Sequence, residues 1–236
     1  MPRPPVRLLA PNAVTAANIA SGFSAMLATA DGRYELAVYL LVLAITLDIC
    51  DGLVARLLNA TSDFGQEMDS FSDAVSFGVA PAFLLQRAIL EPLGLVGIVV
   101  SVVYLLCGIL RLTRFVLTTD AHDKARRTDG VPIPIAAGYV MAMVLMRDEI
   151  PPAAAAVVAV VFAVLMISHW KLPNLKGRGM VTLLMLVGIG NYFAVVFRPS
   201  WATIVWWNVW NVVILVVARA QERRGVDADP ELETSD

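Results

Sequence analysis

The chain has 236 residues and a nearly balanced charge, with 18 Lys and Arg against 20 Asp and Glu. Hydrophobic residues make up 58% of it and charged residues only 16%, whereas soluble domains carry about 25% charged residues. This composition excludes an ordinary soluble globular domain. No run of basic residues suggests nucleic-acid binding, so the composition favours a membrane protein.

Apolar segments follow one another along the chain, separated by Gly, Pro and charged residues. About 20 helical residues are needed to cross a hydrocarbon core of roughly 30 Å, and most of these segments reach that length. We predict an all-α fold, a polytopic transmembrane helical bundle of about eight spans. The expected spans are 13–30, 34–58, 67–89, 94–117, 132–147, 151–169, 180–197 and 201–219.

The distribution of basic residues predicts the orientation of this bundle. An even number of spans leaves both termini on one side, and placing them in the cytoplasm puts most of the 18 Lys and Arg residues there. We therefore expect a multi-pass protein of the cytoplasmic membrane. Residues 1–221 are predicted to form a single transmembrane domain, and residues 222–236 an acidic, disordered C-terminal tail.

Four aspartates interrupt the apolar pattern of the second and third spans. Asp48 and Asp51 are three residues apart, and Asp69 and Asp73 are four apart, so each pair projects from one face of its helix. The short connection between the spans makes the two helices antiparallel neighbours, and the pairs are expected to converge. An ionised Asp at the bilayer centre costs at least about 2.5–3.5 kcal/mol, so four of them need compensation. A role as helix cap or loop residue suits Asp63 better.

Converging carboxylates repel one another unless cations lie between them, and the protein offers few cations of its own. Arg56 is the only basic residue between Asp48 and Asp73, and the two histidines, His122 and His169, are remote in sequence. An all-oxygen set of ligands indicates Mg²⁺ or Mn²⁺, with Ca²⁺ as an alternative, rather than Zn²⁺. A carboxylate-bound pair of such ions commonly clamps a phosphate during in-line displacement.

One segment of the chain resembles the signature of the CDP-alcohol phosphotransferase family at every fixed position. It reads Asp48-x2-Asp51-Gly52-x2-Ala55-Arg56-x8-Gly65-x3-Asp69-x3-Asp73. The resemblance implies a transmembrane helical enzyme, usually a homodimer, whose active site opens to the cytoplasmic interface. Members of this family move a phosphatidyl-type group from a CDP-linked lipid onto an alcohol and release CMP.

The resemblance also implies roles for individual residues. Asp48, Asp51, Asp69 and Asp73 would hold two divalent metal ions, Mg²⁺ or Mn²⁺, and Asp73 would in addition be the catalytic general base on the acceptor hydroxyl. A guanidinium can bind a diphosphate through two parallel hydrogen bonds, which agrees with a role for Arg56. The residues expected to bind the CDP-lipid are Gly52, Ala55, Arg56, Ser62, Asn12, Thr15 and Asn18.

Further segments are similar to the bacterial and archaeal phosphatidylserine synthase branch of the family. They are Pro11–Phe23, Asp73–Ala82, Gly108–Phe115 and Asp129–Ala137. This resemblance implies CDP-diacylglycerol as donor and L-serine as acceptor, with phosphatidylserine and CMP as products. Arg111 and Arg114 lie three residues apart near the inner end of the fourth span, as candidates for binding a substrate anion. Their alternative role is to extend towards the membrane interface.

Two other functions stay open from the residues alone. Glycerol 3-phosphate or inositol phosphate could replace serine as acceptor, because an anion receptor alone does not separate them. Intramembrane carboxylates also serve cation-coupled transporters. Transporter sites lie near the midplane, often at broken helices in matching halves, whereas here the carboxylates flank the short loop at 59–65 and no half-repeat is visible.

Overall fold

The computed structural model describes residues 9–60, 62–119, 130–168, 190 and 193–227, and across these ranges the regular structure is helical, without a strand. The all-α prediction is confirmed for this part of the chain. The principal helices are α1 (Leu9–Ala30), α2 (Tyr34–Leu57), α3 (Asp63–Leu93), α4 (Leu95–Thr119), α5 (Ile133–Leu145), α6 (Pro152–Ile167) and α7 (Trp201–Asp227).

By length and composition, α1 to α4 can each cross a membrane. The apolar helices α5 and α6 are shorter, with 13 and 16 residues. The count of about eight spans and the cytoplasmic location of the termini therefore stay predictions. The expected span 180–197 lies mostly outside the described residues. α7 ends at Asp227, and the part of the predicted tail after that residue also lies outside them.

The chain divides into two compact units. One contains α1 to α6, formed by Met1–Lys124 and Gly130–Ser168, and it includes all four aspartates of the predicted site. The other contains α7 and consists of Ala125–Asp129 and His169–Asp236. The candidate site therefore lies within the first unit.

α1 and α2 form a tight antiparallel hairpin because small residues line their contact. Ala25 on α1, and Ala37 and Ala44 on α2, are almost fully buried, and small side chains allow the backbones of membrane helices to approach closely. The Ser21 hydroxyl donates to the Leu40 carbonyl across this contact at 2.7 Å. The turn between the helices uses Gly32 at φ 72°, a conformation that glycine adopts without strain.

α3 changes its helical geometry directly after the aspartates. Its first part, Asp63–Asp73, is α-helical, and the next six residues, Ala74–Val79, form a π-helical stretch. Such stretches are rare, since they widen the turn, and they often occur at functional sites. The wide turn begins next to Asp73, so it affects the direction in which that side chain and its neighbours project.

α5 is buried against the other helices of the first unit and forms much of its core. Ile133, Ala137, Met141 and Val144 are all completely buried. Tyr104 of α4 is also fully buried, and its hydroxyl donates to the Phe77 carbonyl at 3.5 Å. This packing holds α3 and α4 together beside the aspartates.

The opposite end of the unit from the aspartates carries a polar network. The Tyr34 hydroxyl donates to the Arg87 carbonyl at 3.1 Å. The Arg147 guanidinium pairs with Glu35 at 2.8 Å and lies 5.6 Å from the centre of the Tyr34 ring. These contacts join α2, α3 and the end of α5 at a point remote from the candidate site.

Candidate active site and metal centre

The loop between α2 and α3 places the two pairs of aspartates side by side. α2 ends at Leu57, and the chain reverses through Asn59, which has φ 46°. α3 then starts with Ser62 as its N-cap, whose hydroxyl accepts from the Gly65 backbone N–H at 3.1 Å. Satisfying a free N–H at a helix start stabilises that start, so Ser62 fixes where α3 begins.

Three of the four aspartates that the spacing predicts to converge lie together. Asp48, Asp51 and Asp69 each offer a carboxylate oxygen, and these atoms all lie within 4.8 Å of one another. Asp73 is not one of these three, but its carboxyl group lies near enough to that of Asp48 for the two to interact electrostatically. Two antiparallel helices therefore bring three carboxylates together, with the fourth near Asp48.

The chemistry of this cluster fits a hard divalent cation. Its donors are all carboxylate oxygens, which Mg²⁺ and Mn²⁺ prefer. Asp51 is only 6% exposed, and the Oδ1 atom of Asp73 is buried with no hydrogen-bond partner among the described residues. A buried acceptor without a partner is costly, and a bound cation would remove that cost. Asp48, Asp51, Asp69 and Asp73 could hold such an ion.

Arg111 of α4 places a positive charge near the cluster. It is 7% exposed, and its charge interacts with that of Asp73. Its Nε atom is buried without a hydrogen-bond partner in the described part of the chain, and its guanidinium lies 5.9 Å from the centre of the Phe115 ring. Arg111 therefore brings a buried positive charge within electrostatic range of Asp73.

Arg114, the second anion candidate, is committed elsewhere. Its guanidinium donates to the carbonyls of Ile167 and Ser168 at 3.2 and 3.0 Å, at the end of α6. Carbonyls at a helix end lack partners within the helix, so Arg114 joins α4 to α6. The structure thus separates the two arginines, with Arg111 at the aspartates and Arg114 at a helix terminus.

Three α1 residues expected to bind the CDP-lipid lie in different surroundings. The Thr15 hydroxyl bonds to the Asp51 carboxylate at 2.8 Å. Asn12 lies beside the start of α3, with its Oδ1 atom 3.4 Å from the place where a side chain on Gly65 would begin. Asn18 is completely buried, and both polar atoms of its side chain lack a hydrogen-bond partner among the described residues. Of these three residues, Asn12 is the one that the structure places next to Gly65.

The expected CDP-lipid residues of α2 lie at the more accessible end of that helix. Arg56 is exposed, and Ala55 is partly exposed. A side chain on Gly52 would meet only the flexible end of Arg56, at 3.7 Å. Glycine at this position therefore leaves open space next to a guanidinium, which suits a diphosphate approaching the backbone closely.

Three buried residues that sequence reasoning left without a role also shape this region. Ser72 and Ser76 of α3 are completely buried, and the Ser76 hydroxyl donates to the Asn18 carbonyl at 3.2 Å. Gly22 of α1 lies directly against Ser76. Ser72 lies three residues after Asp69, and Ser76 lies four residues after Ser72, a spacing that indicates that both share the face of Asp69.

Comparison with known proteins covers the part of the chain that carries these residues. The family described as CDP-alcohol phosphatidyltransferase matches residues 8–170. A Helicobacter pylori protein named CDP-diacylglycerol–serine O-phosphatidyltransferase is 35% identical over 182 residues, covering 75% of this chain and 76% of the relative. A Bacillus subtilis protein of the same name is 35% identical over 166 residues, covering 70% and 90%. A Methanothermobacter thermautotrophicus protein named archaetidylserine synthase is 36% identical over 176 residues, covering 73% and 72%.

Proposed function

The chain belongs to the CDP-alcohol phosphatidyltransferase family, and on that premise we propose that it transfers a phosphatidyl group from CDP-diacylglycerol to the hydroxyl of L-serine. The products are phosphatidylserine and CMP. The observation that carries the proposal is the convergence of Asp48, Asp51 and Asp69, with Asp73 alongside. The names of the similar bacterial proteins support the donor and the acceptor.

The aspartates are proposed to hold two divalent ions, Mg²⁺ or Mn²⁺. When bound, such ions stabilise the negative charge that develops on the phosphoryl group and on the departing CMP. Asp48, Asp51 and Asp69 present oxygens close enough to share an ion. Because they come from two packed helices, the protein holds them in place before the substrate arrives, which lowers the cost of organising the site.

Asp73 is the proposed general base. The serine hydroxyl attacks the phosphorus on the lipid side, forming a new P–O bond while the bond from that phosphorus to the CMP oxygen breaks. The hydroxyl proton passes to an Asp73 carboxylate oxygen. The Oδ1 atom of Asp73 has no hydrogen-bond partner among the described residues, so it is available to accept a proton, and positioned proton transfer typically contributes about 10²–10⁴-fold.

Arg56 is proposed to bind the diphosphate of the donor, with Gly52 leaving room for it. Arg56 is exposed at the end of α2, beside the open space over Gly52. The guanidinium can form two parallel hydrogen bonds with phosphate oxygens. Asn12, near Gly65 at the start of α3, completes the candidate donor site.

Arg111 is the proposed partner for the serine carboxylate. It lies close enough to Asp73 for their charges to interact, so an acceptor bound to it would have its hydroxyl near the base. Arg114 is the weaker candidate, because two of its nitrogens already donate to carbonyls of α6. A bidentate contact with Arg111 would orient a carboxylate.

The position of the cluster favours an enzyme at a membrane surface over a transporter. Asp51 and Asp69 lie within about two helical turns of the ends of α2 and α3 that meet at the connecting loop. A transporter site would be expected nearer the middle of the spans. We propose that this end faces the cytoplasm, that the protein resides in the cytoplasmic membrane and that it acts as a homodimer.

A CMP-release assay tests the proposed function. Purified protein receives CDP-diacylglycerol and Mg²⁺ or Mn²⁺, together with L-serine, glycerol 3-phosphate or inositol phosphate, and Asp48→Asn serves as the inactive control. Of the three acceptors, we expect only L-serine to give CMP release. Release with one of the phosphorylated alcohols instead would show that the acceptor is wrong while the family chemistry stands.

A further inference from the structure

Thr15 links α1 to the aspartates through a hydrogen bond with Asp51. Its hydroxyl oxygen lies 2.8 Å from the Asp51 Oδ2 atom and 3.1 Å from the Pro11 carbonyl oxygen. Both side chains are buried, with Thr15 4% and Asp51 6% exposed. The link therefore lies where solvent does not compete for the hydrogen bond.

A threonine hydroxyl has one proton and can donate to only one of these two acceptors at a time. The carboxylate is the better acceptor, because hydrogen bonds to an ionised oxygen are shorter and roughly twice as strong as those between neutral groups. The Pro11 carbonyl lies four residues before Thr15 in the same helix, so it can accept the ordinary backbone hydrogen bond. The geometry assigns the Thr15 proton to Asp51.

We propose that Thr15 is a positioning residue for the metal centre, acting through Asp51 rather than by touching the nucleotide. Its hydrogen bond holds one oxygen of the carboxylate and restricts rotation of the group, which keeps the carboxylate directed at the cluster with Asp48 and Asp69. This role rests on the proposed function, since it requires the aspartates to bind divalent ions. Residues that orient metal ligands in this way typically change metal affinity by about 10–100-fold when they are replaced.

The chain offers a matched control on the same helix. Thr29 is also buried, at 1% exposed, and its hydroxyl donates to the carbonyl four residues earlier, that of Ala25, at 2.8 Å. Thr29 thus resembles Thr15 in residue type, in burial and in lying near the carbonyl four residues earlier, but its hydroxyl donates to that carbonyl and not to a carboxylate. Comparing Thr15→Val with Thr29→Val isolates the contact with Asp51.

The experiment measures Mn²⁺ binding directly. Mn²⁺ is added to full-length protein in detergent, without either substrate, and electron paramagnetic resonance reports the concentration of Mn²⁺ that stays free. Thr15→Val and Thr15→Ala remove the hydroxyl, while Thr15→Ser retains it. We expect about 10–100-fold weaker Mn²⁺ binding for Thr15→Val and Thr15→Ala. Thr15→Ser should bind Mn²⁺ near-normally, and Thr29→Val should bind it like the wild type. In turnover assays of Thr15→Val, the Mn²⁺ concentration that gives a half-maximal rate should rise. The fold increase in this concentration should exceed the fold decrease in the rate at saturating Mn²⁺.

The outcomes separate this role from the proposed function. If the wild type binds Mn²⁺ and either hydroxyl-free variant that folds binds it equally well, Thr15 does not position Asp51. Unchanged Mn²⁺ affinity together with a raised KM for the CDP-lipid would instead make Thr15 a nucleotide contact. If the wild type binds no Mn²⁺, the metal centre itself is wrong, and this role is wrong with it. A loss of affinity in Thr15→Ser equal to that in Thr15→Val would also contradict it.

Discussion

Gly22 of α1 lies directly against Ser76 of α3, and a methyl group built on Gly22 would come within 2.9 Å of the Ser76 Cα atom. The helices approach this closely because glycine has no side chain, and close approach through small residues is common between membrane helices. The Ser76 hydroxyl bonds to the Asn18 carbonyl one turn away on α1. This contact sets the register of α1 against α3, and with it the height of Thr15 relative to the aspartates.

We expect Gly22→Ala to lower stability and turnover together. The added carbon would meet the backbone of Ser76, which cannot rotate away as a flexible side chain can, and overpacking of this kind costs about 1–3 kcal/mol. Thermal unfolding in detergent would measure the loss. Gly52→Ala is the control for stability, because the carbon added there meets only the end of Arg56 at 3.7 Å. Equal melting temperatures for Gly22→Ala and the wild type would contradict the close contact.

Removal of divalent metal should abolish turnover. Asp48, Asp51 and Asp69 present carboxylate oxygens within 4.8 Å of one another. These negative charges repel one another unless a cation lies between them. Exhaustive chelation followed by CMP-release assays should show no activity, and added Mg²⁺ or Mn²⁺ should restore it. Full activity after chelation would remove the metal centre and most of the proposed mechanism.

Asp73→Asn should separate proton transfer from binding. An amide cannot take the proton from the serine hydroxyl, so turnover should fall by about 10²–10⁴-fold, while binding of the CDP-lipid largely survives. Asp51→Asn provides the contrast, because it should weaken Mn²⁺ binding as well. Rapid-quench measurement of CMP formation and equilibrium binding of the CDP-lipid give the two quantities. Near-normal turnover of Asp73→Asn would place the general base elsewhere.

Arg111→Lys and Arg114→Lys should differ. Lysine cannot reproduce the forked contact of a guanidinium with a carboxylate, so Arg111→Lys should raise the KM for serine more than the KM for the CDP-lipid. Arg114→Lys should mainly lower the melting temperature, because Arg114 donates to the Ile167 and Ser168 carbonyls. Steady-state kinetics with each substrate varied in turn make the comparison. Equal effects of Arg111→Lys on both KM values would assign Arg111 to the diphosphate or to structure.

Glu35→Gln should leave turnover unchanged. Glu35 pairs with Arg147 at 2.8 Å at the end of the unit opposite to the aspartates, where the Glu35 side chain is 53% exposed. Exposed ion pairs typically contribute about 0–1 kcal/mol, so the melting temperature should change little. The same CMP-release assay used for the site variants measures turnover. A large loss of activity would reveal coupling between the two ends of the unit that the described contacts do not provide.

Much of the candidate site could be predicted from the sequence because its information is local. Asp48 and Asp51 share a face at three-residue spacing, and Asp69 and Asp73 share one at four-residue spacing, whatever the rest of the fold. A loop too short to separate the helices then makes the two faces meet. The identity of the ligand atoms follows from the residue types alone, so a hard divalent ion could be inferred before any coordinates.

Helical spacing shows which side of a helix a residue occupies but not which residue of another helix it meets. Thr15 and Asp51 are 36 residues apart in the chain, and their hydrogen bond depends on the packing of α1 against α2. Arg111 and Arg114 carry the same charge three residues apart, yet the packing of α4 puts one beside Asp73 and the other at the end of α6. The sequence alone determined the helical class, the four aspartates and their chemistry, since these depend on composition and short-range periodicity. Only the tertiary structure decided which groups surround them, because that depends on close contacts between distant segments, such as Gly22 against Ser76.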